Sequence, residues 1–210
     1  MDKRIKLTEK EMCNYFIREQ KVIDYAWEFF KEICACSFST PDSYFVNNEV
    51  LPISCFNEME EILSSVEQGI NYKIVGGFVK AGKKQAYIRI GIDTDNNILN
   101  KTLKRTIRHE IIHYVLWLID LSWEDDSLPF WCLCYVFDGG AYEMLSPEDE
   151  EYFKLFKEIH DNHVKGLQWN IYHLLVGVMI NYLHDTPIDK FEEKIVDDIK
   201  NIKKVYHIEN

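Results

Sequence analysis

His109-Glu110-Ile111-Ile112-His113 stands at the head of Ile111 to Leu121 (IIHYVLWLIDL), a run that is apolar almost all round. Such a run reads as a helix buried at the centre of a domain. Its polar members then need a reason to be there, because a buried imidazole or carboxylate requires a compensating partner. On a helix, positions four apart share a face, so the two imidazoles converge on one point. That spacing suits two nitrogen ligands of a tetrahedral zinc. Glu110 sits beside them and can reach a water without occupying a coordination position.

A catalytic zinc takes a third protein ligand and keeps a fourth position open. If the helix runs to Leu121, its end lies about 12 Å beyond His113 at ~1.5 Å per residue. The extended chain from Leu121 to Asp126 spans roughly 16–18 Å, enough to return a carboxylate to the metal. Asp126 is reachable, as are Asp125 and Glu124 with less slack. Glu143, beyond the Gly139-Gly140 turn, is a further candidate.

The rest of the chain supplies the frame. With 210 residues, 47% of them hydrophobic and 14% aromatic, it can bury one sizeable core. A net charge of −11 weighs against nucleic acid as a main partner, since phosphate binding needs a positive field. Cys13, Cys34, Cys36, Cys55, Cys132 and Cys134 form no C-x-x-C pair, and no apolar signal core opens the sequence. Free thiols in a reducing, cytoplasmic setting are expected. Gly166 to Leu183 approaches the length of a membrane span, but Gln168, Asn170, His173 and Asn181 interrupt it. A buried helix in a soluble protein is the expectation, with no membrane contact.

Helical spacing of apolar residues predicts a helix from Thr8 to Ile33. A short strand is expected around Tyr44 to Val46, and a short acidic helix from Asn57 to Gln68. Tyr72 to Lys80 and Gln85 to Ile92 read as strands; in the second, Ala86, Ile88, Ile90 and Ile92 share one face. The motif helix begins near Asn97 or Asn100. An aromatic-rich segment, Phe130 to Phe137, ends at Gly139-Gly140. Ser146-Pro147-Glu148-Asp149 is a helix start, opening Glu148 to Val164. Helices from Leu167 to His184 and from Pro187 to Tyr206 complete the chain. Residues 1–145 are expected to form the main domain, with 146–210 a helical extension packed on it. His160, His163, His173 and His184 read as surface or packing histidines, and Lys101, Lys104, Arg105 and Arg108 as a solvated helix face.

From about Val75 to Phe137 the chain resembles the metallopeptidase domain of SprT-like proteins, the group that includes Spartan. The likeness is carried by Gly77-Phe78, the strand Tyr87 to Ile92, Leu103-Lys104-Arg105-Thr106-Ile107, and His109 to His113. Members carry a third His followed four positions on by Phe. Asp126-Ser127-Leu128-Pro129-Phe130 keeps that spacing, with Asp in place of His. The resemblance implies an α+β zincin-like core, a small sheet on the motif helix, flanked by N- and C-terminal helical regions. It implies zinc on His109, His113 and Asp126, Glu110 as general base, and a peptide or protein substrate along a sheet edge. Two alternatives stand beside it: a non-catalytic binding or scaffold protein with a structural zinc, and a gluzincin-like peptidase with Glu143 as ligand.

Overall fold

The computed structural model of the chain describes residues 9–35, 51–57, 76–80, 86–92, 99–141, 143–164, 171–183 and 188–205. Helix α1, Glu9–Ala35, buries Val22, Ala26, Phe29, Phe30 and Ile33 along one stripe, as its spacing predicts. Three strands follow: β1, Ile53–Asn57; β2, Gly76–Lys80; and β3, Ala86–Ile92. They form one sheet in the order β1-β3-β2. β1 runs parallel to β3 with Cys55 opposite Ile90, and β2 runs antiparallel with Phe78 opposite Ile88. Ile88, Ile90 and Ile92 are fully or almost fully buried, so the expected alternation in β3 is what seats the sheet on the core. β1 was not expected. Asn57, read as a helix start, is instead the last residue of that strand. The expected strand at Tyr44 to Val46 and the rest of the expected 57–68 helix lie outside the described residues, as do residues 72–75.

Helix α2, Lys101–Leu118, carries the motif. Asn100 caps it, its side chain accepting from the Leu103 N–H at 2.8 Å. Every residue from His109 to Leu116 is buried, because α2 is packed against α1, β2, β3 and the next helix. It ends three residues before Leu121, where Asp120 takes a left-handed φ of 60°. Helix α3, Leu128–Phe137, starts with Pro129 in its first turn and ends at Asp138, again left-handed with φ 53°.

Ser146 caps α4, Pro147–Ile159, accepting from the Asp149 N–H at 3.1 Å. A wider π-helical turn, His160–Val164, replaces the last turn expected for that helix. Helices α5, Ile171–Leu183, and α6, Ile188–Val205, pack with α4. One hydrophobic core runs from Val22 in α1 through Phe130 in α3 to Ile195 in α6. The architecture is α+β, mostly helical with a small sheet. Among the described residues no helix is long and apolar enough to cross a membrane.

Candidate metal centre

One turn of α2 brings His109, Glu110 and His113 together, with ligand atoms within 4.8 Å of one another; the group could hold a metal ion. All three are buried, at 8%, 6% and 5% exposure. Each imidazole is fixed from behind by a main-chain carbonyl. His109 Nδ1 donates to the Gly140 oxygen at 2.7 Å, and His113 Nδ1 donates to the Trp123 oxygen. A carbonyl only accepts, so both protons of the neutral rings sit on Nδ1. Both Nε2 atoms then turn lone pairs inward, and they lie 3.1 Å apart.

The Gly139-Gly140 turn places that first carbonyl. Gly140 has φ 76°, a conformation other residues adopt at a cost of about 1–2 kcal/mol. The same oxygen accepts from the Cys134 thiol at 3.6 Å, which ties it to α3. His113 is held in orientation by rings on two sides. Phe130 stacks on it with centroids 4.1 Å apart, and Phe78 of β2 lies nearly parallel at 6.0 Å. Phe130 also meets His109 edge-on at 4.9 Å.

A third acceptor completes the cluster, and it is Asp125. Its Oδ1 lies 3.2 Å from His109 Nε2 and 3.5 Å from His113 Nε2. Asp126, the expected residue, is exposed and lines the cavity in front of the histidines. That Asp125 rather than Asp126 lies nearest the two rings has a physical reason. α2 ends early, about 7.5 Å beyond His113 rather than 12 Å, so Asp125 has ample slack. Direction then decides. Ser127 is the N-cap position of α3, which turns Asp126 into that helix's outward-facing entry. Glu124 is occupied locally, accepting from Ser122 Oγ at 2.8 Å and from the Trp123 N–H at 3.1 Å. Glu143, the alternative ligand, is exposed at the cavity rim.

The electrostatics follow from three acceptors and a buried acid. The His109 and His113 rings, which donate to Asp125 through Nε2 when they carry a second proton, hold its carboxyl well below the usual range, against the opposing effect of burial. For His109, burial alone would lower the pKa. The Asp125 hydrogen bond, the Glu110 charge and the Gly140 carbonyl outweigh it, and the net shift is upward. A cation among these groups, either a proton or a metal ion, relieves their mutual repulsion. Burial raises the pKa of Glu110; the two histidines and the Phe78 N–H pull the other way without cancelling it. A carboxylate held in this way takes up a proton more readily than one in water.

β2 passes close over this acid. A Cβ at Gly76 would come within 2.7 Å of Thr106 Cγ2 and 2.8 Å of Glu110 Oε1, so any larger residue would force these side chains to shift. Gly76, Gly77 and Phe78 line one wall of a cavity of about 530 Å³, with Trp123 and the acidic turn opposite. The carbonyls of Trp123 and Gly140 and the rings of Phe78 and Phe130 were absent from the sequence-based site. Only the Gly139-Gly140 pair, the Gly77-Phe78 pair and the Phe130 spacing left a trace of them in the sequence.

Elsewhere, His160 stacks on Phe156 with centroids 6.2 Å apart, and its Nδ1 lies 3.1 Å from Asp161. Neither it nor His163 joins a metal-binding cluster among the described residues. The His173 side chain and all of His184 lie outside what is described. Comparison with protein families finds no match to this chain, and neither does comparison with curated proteins or with solved structures.

Proposed function

We propose that the chain is a zinc-dependent metallopeptidase of zincin type, with His109, His113 and Asp125 as the protein ligands and Glu110 as general base. The observation that carries this reading is the convergence of three acceptor atoms whose protons are committed elsewhere. Their separations of 3.1, 3.2 and 3.5 Å match the donor–donor distance of about 3.3 Å in a tetrahedron of ~2.0–2.1 Å zinc bonds. Nitrogen, nitrogen and carboxylate oxygen form a donor set that zinc accepts in catalytic sites. The SprT-like resemblance points the same way and supplies the peptide as substrate class.

When bound, zinc would supply Lewis acidity, polarising a carbonyl and acidifying water. The chain's own residues do the rest. Glu110, neighbouring the ligands and raised in pKa, accepts a proton from the attacking water and returns it to the leaving amine. The Gly140 and Trp123 carbonyls hold the imidazoles in the tautomer that presents Nε2. Among the described residues β2 pairs on one side only, so its other edge offers main-chain groups to an extended peptide beside the cavity.

The test joins metal analysis to activity. Protein purified without added zinc should carry about one zinc per chain, in wild type and in Glu110→Gln alike. Only the wild type should cleave an unfolded protein such as casein. Zinc in both without cleavage in either would move the assignment to a structural metal site, and absence of binding to added zinc would overturn it.

A further inference from the structure

The basic residues that lead into the motif lie on an exposed to half-buried helix face that lines a cavity. Lys101, Lys104, Arg105 and Arg108 surround a cavity of about 270 Å³ with Leu99 and Asp138. It shares no lining residue with the cavity at the histidines. We propose that this cavity binds a compact anion bearing a phosphate group, free or as a small ester.

Three observations carry it. First, four cationic side chains meet a single carboxylate among the described lining residues, in a chain whose net charge is −11. Four like charges around one small cavity repel one another, and an anion bound among them relieves that repulsion. Second, Arg108 is pre-set. Its Nε donates to Tyr25 Oη at 2.7 Å and its Nη1 to the Phe137 oxygen at 3.2 Å. The guanidinium also lies over the Phe29 and Tyr25 rings at 5.5 and 5.9 Å, while Lys104 Nζ sits over Tyr25 at 5.4 Å. Third, Asp138 is a loose counter-ion. It stands 3.6 Å from Arg105 and 3.8 Å from Arg108, beyond good hydrogen-bond distance. A phosphate offers the two guanidiniums more charge and more acceptors than this carboxylate does. The cavity's size fits a small molecule. The acidic remainder of the chain disfavours a long polyanion, because nucleic acid binding needs an extended positive field.

Calorimetric titration of the full chain with inorganic phosphate tests the proposal. Saturable binding is expected, at least about tenfold weaker in Arg105→Glu than in wild type. Lys154→Glu, an equal charge change on α4, should bind as wild type. Asp138→Asn keeps a residue that tolerates the left-handed cap but removes the competing charge, so it should bind phosphate several-fold more tightly. No saturable binding, equal affinity in wild type and Arg105→Glu, or no tightening in Asp138→Asn would each overturn the site. So would loss of affinity confined to a single-stranded oligonucleotide, which would make it a nucleic-acid contact instead.

Discussion

His109 and His113 present their Nε2 atoms to each other across 3.1 Å, each ring pinned from behind by a carbonyl that only accepts hydrogen bonds. Neutral imidazoles in that arrangement repel, and the Asp125 oxygen at 3.2 and 3.5 Å adds to the negative field. A fold that buries such a cluster gains stability from any cation that enters it. Zinc should therefore raise the melting temperature of the wild type, since a ligand of the native state alone stabilises it by mass action. His109→Ala and His113→Ala should each lose that dependence on zinc in a thermal melt.

Asp125 and Asp126 are adjacent in sequence but differ in position. Asp125→Ala should weaken zinc by more than the roughly 10–100-fold typical of changes to groups that only support a ligand. Asp126→Ala should leave zinc affinity within a few-fold of wild type, because its carboxylate is exposed at the cavity. Competition with a fluorescent chelator measures both. A larger effect from Asp126 would reverse the assignment.

That pair marks how far sequence reasoning carried. The motif helix, its start at one of two asparagines, Asn97 or Asn100, the alternation in Ala86–Ile92 and the Ser146 cap are local features, and local spacing and capping chemistry reveal them. Chain length bounded the reach of the third ligand but could not give direction, which depends on where α2 stops and α3 begins. β1 escaped because Ile53–Asn57 is short and owes its place to pairing with β3, a long-range contact with no local signature. The Trp123 and Gly140 carbonyls are backbone atoms, so side-chain identity gave no sign of them.

Phe130 is fully buried and supports both imidazoles. Phe130→Ala should cost about 3–5 kcal/mol in urea unfolding, through lost burial and the cavity left behind. Phe130→Leu keeps most of the buried apolar volume but not the stacked ring. It should recover much of the stability while zinc affinity stays below wild type.

Cys132 and Cys134 should resist alkylation by iodoacetamide at pH 8 in the native protein. Burial pushes both thiols well above their ordinary pKa, and the thiolate is the reactive form. Cys55, pushed up to about 12 mainly by burial, should behave alike. Peptide mass spectrometry before and after denaturation reads this directly. Rapid native modification of Cys134 would mean that the Gly140 turn opens, since the thiol hydrogen-bonds its carbonyl.

Gly140 links backbone conformation to the proposed metal ligands. Its φ of 76° favours glycine, and its oxygen fixes the tautomer and tilt of His109. Gly140→Ala should destabilise the fold by about 1–2 kcal/mol, the cost of a left-handed residue with a side chain. If that strain moves the carbonyl, zinc affinity falls as well, because His109 then loses the acceptor that keeps its proton on Nδ1. Gly77→Ala is the matched control. A methyl there meets nothing within 4 Å among the described residues, although Gly77 lines the same cavity. It should change neither stability nor zinc affinity appreciably. Equal loss of zinc in both variants would point to the cavity wall rather than the carbonyl. Loss in Gly140→Ala alone would establish that the turn after α3 sets the charge and aim of a ligand on α2.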